Sequence, residues 1–516
     1  MYSAIKITIS MKRILLLFVS LFTLVAGNAQ STTFSIIGEH NVKLWFRVLA
    51  GSYSYQKSYD ASVDEVAFIY PADGVNYPSN KPIVIPSTVD YGGKTYQVTY
   101  LSDAFLYTQI DSIYFPSSIK KSEGNFIYSG TVKHLCTPEN LEVIPQNWLN
   151  HATIEEVWIS PNVKKVEWLG LSGEAFTRKR IHGLAQSKIE EIGNWSFIAH
   201  QYSTDPSNYI KDMSVLPPTI RIIGDEPFSI RNSGQGLPLD KFSVPPTIER
   251  IGKEVYDIAQ RVDVPHTTPF TLGENTFGTQ ATLKIFIPTD CSAAYKAATN
   301  WSSYNDKFRE EIKIGATGYT SYYLENENFL IPTGCTAYII TGITPSGSKS
   351  IPDQANVTAF TAGKIIPKQT GFILQGTPNS TVVYQANVTG TEESVAGNWL
   401  VGTAIEQEFS SAGHKYYVLA NGDEGIGFYK QGTRKGASIK LQPHRAGLRL
   451  ADAVAPAKGL IIDFDAAREE AETTGIRDVR PSVQPREDII YDLQGRRVKN
   501  PGQGIYIVNG KKVVRE

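Results

Sequence analysis

The residues of this chain whose types could do chemistry are few and scattered. Eight histidines stand at His40, His134, His151, His182, His200, His266, His414 and His444. None has a second histidine at the spacing a metal site needs, and each reads as a surface or turn residue. The three cysteines, Cys136, Cys291 and Cys335, are odd in number and far apart. They fit neither a disulfide framework nor a zinc site and read as small buried apolar residues. No His-Glu-x-x-His, Gly-x-Ser-x-Gly, P-loop or Gly-x-Gly-x-x-Gly pattern occurs. Gly425-x-Gly427 and Gly502-x-Gly504 lie in turn contexts and open no helix, so a phosphate would find no helix N-terminus there. Acidic residues are too numerous for a general acid–base pair to be singled out. Arg178-Lys179-Arg180 is the one local basic cluster and reads as a solvated loop. No catalytic residue, metal ligand or cofactor is expected from these patterns, although a pair assembled only in three dimensions would escape them.

The elements that would position any site carry a clearer signal. Pro217-Pro218-Thr219-Ile220-Arg221-Ile222-Ile223-Gly224 returns as Pro245-Pro246-Thr247-Ile248-Glu249-Arg250-Ile251-Gly252, an offset of 28 residues (245 − 217). A period in the twenties marks a solenoid, in which each repeat buries its apolar face only against its neighbours. Weaker copies lie at Ile113–Ile119, Val157–Val166, Lys188–Phe197 and Leu283–Pro288. Alternation before each proline (Ile113, Phe115; Val157, Ile159; Ile285, Ile287) predicts a short strand with one buried face. Proline then ends the strand because it cannot donate to a ladder. The shared Ile220, Ile223, Ile248 and Ile251 are the predicted repeat core.

These phrases resemble the BspA-like leucine-rich repeats of bacterial surface proteins. Ile83–Val89, Gly92–Thr99 and Asp103-Ala104-Phe105 are similar to the family's first repeat. Ile285-Phe286-Ile287-Pro288 with Ala293–Trp301 is similar to its last. The resemblance covers roughly Ile83 to Ile314. It departs from the family at Trp168–Lys188 and His200–Lys211, and only Ala104-Phe105 and Ala175-Phe176 keep an Ala-Phe pair. It implies adhesion to host matrix proteins or to other cells.

Bulk properties bound the rest. Met11 with Lys12 and Arg13, the apolar run Ile14–Val25 and Gly27-Asn28-Ala29 have the proportions of a secretory signal peptide over 1–29. The apolar run of about 12 residues is too short for the roughly 20 of a spanning helix, so no transmembrane span is expected after signal removal. Fifty basic and 51 acidic residues leave a net charge of −1, which gives no global field for nucleic acid or anionic lipid. At 516 residues and 41% hydrophobic content the chain can bury a core in each of two or three domains. Its 27 Tyr, 22 Phe and 7 Trp suit either carbohydrate stacking and interfaces or simple strand packing.

After Ile314 the repeat phrase stops. Period-2 segments continue at Thr336–Thr341, Gly371–Gln375, Val382–Gln385, Lys415–Leu419 and Gly427–Lys430, so an all-β sandwich-like domain is expected over 314–465. It looks like a β-domain that follows such repeats in the same bacteria. Residues 466–488, charged and without periodicity, read as a linker. Ile489–Val498 and Gly504–Val514 read as two or three strands turning at Asn509-Gly510. They resemble the sorting domain of type IX secretion substrates, with Tyr491, Asp492, Gly495, Arg496, Gly504 and Tyr506 in the matching pattern. The resemblance implies contact with the secretion machinery.

The expected organisation is therefore mainly β: a leader at 1–29, an N-terminal β cap at 30–82, a leucine-rich-repeat solenoid at 83–313, a β-domain at 314–465, a linker and a short β tail at 489–516. The expected function is binding of a host or bacterial surface protein or glycan by the repeat sheet of a secreted or outer-surface protein. The rivals are an enzyme or glycan-processing accessory with its site in 314–465, and a structural element of a surface assembly.

Overall fold

Successive strands of the repeat stack in parallel. In the computed structural model, which describes residues 33–49, 64–79, 81–172, 180–197, 215–228, 238–256, 258–409, 412–430, 440–456, 458–477, 490–491, 498, 502–508 and 511–515, the strands Ile83–Val84, Gln109–Tyr114, Thr131–Cys136, Thr153–Trp158 and Arg180–His182 form one five-stranded sheet. Ile113, Leu135, Val157 and Ile181 are register partners along it, spaced by 22, 22 and 24 residues (135 − 113, 157 − 135, 181 − 157). All four are buried. The same ladder resumes as Pro238–Ser243, Ile258–Asp263, Lys284–Phe286 and Phe308–Lys313, again parallel. The chain is a mainly β solenoid of stacked coils. The leader (1–29) lies outside the described residues.

A turn follows each of these strands. The Ile220 and Ile248 amides donate to the Pro217 and Pro245 carbonyls, each at 3.2 Å. The threonine between them has a structural use. Thr219 Oγ1 donates to the Ile189 carbonyl at 2.8 Å and Thr247 Oγ1 to the Ile220 carbonyl at 2.6 Å, so each turn ties back to the preceding coil. The chain then forms a second parallel ladder: Val143–Ile144, Lys165–Val166, Glu191–Ile192, Ile222–Ile223, Arg250–Ile251 and Thr271–Leu272. Here Ile223 pairs with Ile251 across the 28-residue offset, but Ile144 pairs with Val166 across 22 (166 − 144) and Ile251 with Leu272 across 21 (272 − 251). The offset visible in the sequence is thus a lengthened coil, and several of its neighbours are shorter.

A left-handed corner follows the second ladder in coil after coil. Asn125, Asn147, Leu169, Trp195, Glu226, Glu254 and Asn275 all have φ between 49° and 58°. Six of them donate their amide to a carbonyl of the next coil, as in Asn125 to Asn147 (2.8 Å), Asn147 to Trp168 (3.0 Å), Trp195 to Asp225 (3.0 Å) and Glu226 to Lys253 (2.9 Å). Just beyond the corners an aromatic spine fills the core. Phe126 stacks on Trp148 at 5.3 Å, Phe197 meets Phe228 at 5.8 Å, and Phe228 meets Tyr256 at 5.5 Å. These rings occupy the place of the Phe of an Ala-Phe pair: Phe is kept at Phe126, Phe197 and Phe228 without the alanine, and Trp148 and Tyr256 stand in for it in two coils.

Both ends of the solenoid merge with neighbouring sheets. The strand Lys94–Leu101, read as part of the first repeat, pairs in parallel with Lys121–Ser122 of the next coil and is shared with the cap sheet. There it pairs in parallel with Glu65–Phe68, which lies beside the antiparallel Thr33–Ile37 and Lys43–Val48. Gly92 and Gly93, at φ 62° and 79°, make the tight turn from Thr88–Tyr91 into it. At the other end, Thr381–Gln385 adds antiparallel to Phe308–Lys313, so one sheet runs from the repeats into the C-terminal part.

That part holds a nine-stranded sheet: Tyr319–Tyr322, Phe372–Gln375, Thr336–Thr344, Asp353–Phe360, Gly459–Ile462, Gly425–Lys430, His414–Gly422, Arg445–Ala451 and Leu400–Thr403. It curls until Arg445 Nη1 donates to the Ser321 carbonyl at 3.0 Å. The segment read as a linker from Ala466 is a correction: a helix spans Phe464–Arg477. Asp463 caps it, accepting from the Ala466 amide at 3.0 Å. Phe464 is buried, stacking on Tyr319 at 4.1 Å and meeting Tyr338 edge-on at 5.0 Å. Of its described side chains only Phe464 and Ala467 are buried, so no apolar period marks it in sequence.

The second ladder leaves no room for side chains at its glycines. A Cβ on Gly252 would lie 2.4 Å from the Gly224 carbonyl oxygen, and one on Gly273 would lie 2.3 Å from the Gly252 carbonyl carbon. Gly252→Ala is therefore expected to cost at least about 1–3 kcal/mol, as overpacking does. Gly315→Ala, with nothing within 4 Å of the new atom, is the control and should be near neutral. Ile251→Ala should cost about 2–5 kcal/mol. Thermal or denaturant unfolding of the three variants checks these values.

Candidate functional site

The outward side of the first ladder is the most structured solvent-facing surface of the solenoid. Along Thr131–Cys136 and Thr153–Trp158 the buried positions are Val132, Leu135, Ile154 and Val157. The residues between them face out. Parallel pairing then places Cys136, Trp158 and His182 side by side, and His134 beside Glu156. The Trp158 and His182 rings stack at 4.7 Å and 13°, and His134 leans on Trp158 at 5.9 Å. His134 Nδ1 lies 3.4 Å from Glu156 Oε2, an ion pair once the imidazole is protonated. Tyr114, 57% exposed, stands in the preceding coil. Desolvation raises the pKa of the Cys136 thiol, so at neutral pH it is a protonated neighbour and a poor nucleophile.

Further along, the face changes character. Lys241, Arg261 and Lys284 are register partners. Asp263 accepts from Lys241 at 2.8 Å and from Arg261 at 2.7 Å, while Arg261 also reaches Glu311 at 3.1 Å and lies 3.6 Å above the Phe286 ring. The row of rings near the cap can stack on a planar or CH-rich partner. The later coils present paired charges.

Among the described residues, two further cavities lie away from this face. One, about 390 Å³, is in the C-terminal part between Tyr319–Ser321, Val418–Asn421 and Lys440–Gln442. Its charged lining residues are Lys440 and Arg445, with no carboxylate to pair as acid and base. The other, about 640 Å³, lies where the cap meets the first coils. Among the described residues no group of three or more His, Cys, Asp or Glu could hold a metal ion. No described helix is long and apolar enough to cross a membrane.

A buried acidic network joins the solenoid to the C-terminal part. Glu310, on the terminal solenoid strand, is fully buried and accepts from the Asp290 amide at 3.1 Å and from the Tyr384 hydroxyl. Tyr384 and Tyr322 share a hydrogen bond of 2.9 Å. Glu327, 1% exposed, accepts from the Ser292 amide at 2.6 Å. Asp290 accepts from the Glu325 and Asn326 amides at 2.9 and 2.8 Å. Lys296 donates to the Ala386 and Asn387 carbonyls at 3.1 and 2.8 Å. Burial first, and then the negative charge of Glu327, hold the Glu310 carboxyl well above the usual range. The carboxyl at Glu327 is raised too, again mainly by burial.

The repeat-core residues Ile220, Ile223, Ile248 and Ile251 lie inside, each 3% exposed or less. They hold the coils together and do not reach the outer face. In the tail, Ile490–Tyr491, Gly504–Val508 and Lys511–Arg515 form an antiparallel three-stranded sheet, with Tyr491 opposite Ile507, Gly504 opposite Arg515 and Tyr506 opposite Val513. Asp492, Gly495, Arg496 and the Asn509-Gly510 turn lie outside the described residues. Sequence reasoning did not single out Trp158 or Glu310, and it set His134 and His182 aside as isolated. The signal for the ring row is the spacing of Cys136, Trp158 and His182, by 22 and 24 residues, visible only once the true coil length is known. The signal for Glu310 is a carboxylate on the apolar phase of Phe308, Glu310, Ile312.

No protein-family model and no curated protein matches the chain. Among solved structures, a leucine-rich cell surface protein from Faecalibacterium prausnitzii A2-165 is 13% identical, over 51% of this chain and 78% of that one, with a TM-score of 0.20. A leucine-rich repeat protein from Bacteroides ovatus ATCC 8483 is also 13% identical, over 48% of this chain and 78% of that one, with a TM-score of 0.22.

The acidic network gives a pH dependence with a definite sign. A carboxyl whose folded pKa is raised binds its proton more tightly in the native state. Its contribution is complete below the unfolded value, about 4.3 for Glu, and is lost as pH rises toward the folded value. Glu310→Gln stays neutral at all pH. Its melting temperature is expected to gain on the parent's as pH rises from about 5 to 8. Melting curves across that range check it, and a variant equally destabilised at every pH would contradict the assignment.

Proposed function

We propose that this protein is a secreted, surface-attached binding module, acting through the outward face of its repeat sheet on a host or bacterial surface protein or glycan. The observation that carries the reading is the row His134, Trp158 and His182. Three rings from three successive coils are held in contact on a solvent-facing parallel sheet. Rings whose backbone is already fixed by the ladder lose little freedom on binding, so modest contacts along the row add up. Tyr114 extends the row toward the cap, and Glu156 supplies a hydrogen-bond acceptor beside it. Trp and Tyr are also the residues that most often dominate binding energies at interfaces.

In this reading the repeats are of the BspA-like kind, residues 1–29 are a leader removed on export, and the tail is a sorting element for type IX secretion. The phrases Pro217–Gly224 and Pro245–Gly252 support the first, Lys12–Ala29 the second, and Tyr491–Val498 with Gly504–Val514 the third. No ligand is specified by these features. The rival, catalysis within 314–465, would need an acid–base pair or nucleophile. The cavity lined by Lys440 and Arg445 has hydroxyl side chains such as Ser321 but no carboxylate or histidine among its lining residues to act as their base.

The test is capture of the mature chain on immobilised matrix proteins and glycans. Trp158→Ala and His182→Ala are each expected to weaken binding to any ligand found by about ten-fold or more, the size of an interface hot spot. Undiminished binding by both variants would remove the sheet face from the reading. Separately, deletion of 489–516 is expected to abolish surface display on fractionated cells while leaving the melting temperature of the rest unchanged. Retained display would refute the sorting role.

A further inference from the structure

The larger cavity has no part in the ring row. Most of its lining comes from the chain that leaves the cap strand Glu65–Phe68 and from the corners of the first coils. The first supplies Tyr70 and Pro71. The second supplies Glu123, Asn125 and Asn147. Arg47 projects from the cap strand Lys43–Val48, and Asp103 precedes the first aromatic of the spine.

The cavity is held open by groups engaged elsewhere. Tyr70 is fixed by its amide on the Asp103 carbonyl at 2.7 Å and by its hydroxyl on Asn76 Oδ1 at 2.7 Å. Glu123 accepts from the Ser102 hydroxyl, and Asn125 Oδ1 accepts from Asn150 at 2.8 Å. Asn125 and Asn147 sit at φ 58° and 56°, joined by the coil-to-coil bond of the corner. The Asp103 carboxylate and the side-chain amide of Asn147 make no hydrogen bond within the described residues. They remain available to a ligand.

The charge pattern selects the ligand class. Among the lining residues Arg47 is the one cation, and Asp103 and Glu123 are the two anions. An anion would face two carboxylates and a cation would face the guanidinium. A neutral molecule that both donates and accepts at many points suits all three. Amide and carboxylate groups beside a tyrosine ring and a proline also match a body with hydroxyls on its rim and CH groups on one face. We infer that this cleft between cap and first coils is a binding site for a neutral hexose unit, either free or at the end of a glycan. A volume of about 640 Å³ falls within the range of small-molecule sites and leaves room for a hexose with an attached residue. Burial and the neighbouring Glu123 push the Asp103 carboxyl up to about 6, partly offset by Arg47, as befits a mixed-charge cleft rather than an ion site.

The test is calorimetric titration of the full mature chain with methyl glycosides of neutral hexoses, with the matching oligosaccharides, and with inorganic phosphate and free arginine as charged probes. At least one neutral sugar is expected to bind, and to bind better than either charged probe. Binding of the methyl glycoside would identify a single hexose as sufficient, while binding of the oligosaccharide alone would identify a glycan terminus. Asp103→Ala and Asn147→Gly should each weaken it by about ten-fold or more. Glycine at 147 keeps the left-handed corner, so the fold survives, and a melting curve verifies this. Gly315→Ala, remote from the cleft lining and with open space for the new atom, should leave sugar affinity unchanged, which ties any loss to the cleft. Absence of binding by every neutral sugar, equal binding by the cleft variants, or preference for phosphate or arginine would each overturn the inference.

Discussion

The backbone hydrogen bond from each left-handed corner to the next coil is the constraint on which this structure depends. A coil buried between two others must satisfy its amides and carbonyls without water. At the corner the chain can do so only by turning through positive φ, which costs an L-residue roughly 1–2 kcal/mol. Asn125, Asn147, Leu169, Trp195, Glu226 and Glu254 all accept that strain and all donate to the next coil. The strain is offset by what the corner places behind it. Phe126, Trp148, Phe197, Phe228 and Tyr256 enter the core just after it, and each is fully buried.

Because the corner fixes coil-to-coil registration, coil length is free to vary. Ile192 pairs with Ile223 across 31 residues (223 − 192), while Val262 pairs with Ile285 across 23 (285 − 262). Extra residues lengthen a connection at small entropic cost, and the ladders on either side stay in step. The outward columns inherit that order. His134, Trp158 and His182 meet because the apolar residues beneath them are register partners, and the cleft beside the cap exists where two corners stand next to the chain leaving the cap strand Glu65–Phe68. At the far end the same sheet accepts Thr381–Gln385, so the C-terminal part is joined by a ladder and by a buried carboxyl network rather than by a flexible hinge.

Much of the solenoid was legible in sequence, and the reasons for the rest are physical. Pro217–Gly224 and Pro245–Gly252 exposed the repeat because these turns need proline, threonine and glycine for specific bonds and specific space. Ile220, Ile223, Ile248 and Ile251 were readable as core because their spacing follows from that turn. The corner was not readable, since Asn, Leu, Trp and Glu all occupy it and its common feature is a dihedral angle. The helix Phe464–Arg477 was missed because its hold on the sheet rests on Phe464 and Ala467, too few positions to make a period. The outer face and the cleft were missed because they are made by adjacency across coils. Such adjacency needs coil lengths that a single visible offset of 28 does not supply.

Native-state hydrogen exchange on the full chain tests the central claim most directly. If the corner bond organises the stack, the amides of Asn125, Asn147, Trp195 and Glu226 should exchange as slowly as those of Leu135 and Val157 in the first ladder, although they lie in turns. Exchange at the corners as fast as in exposed turns such as Ser346–Ser350, with the strands still protected, would contradict the account. It would mean that strand pairing alone holds the coils in register.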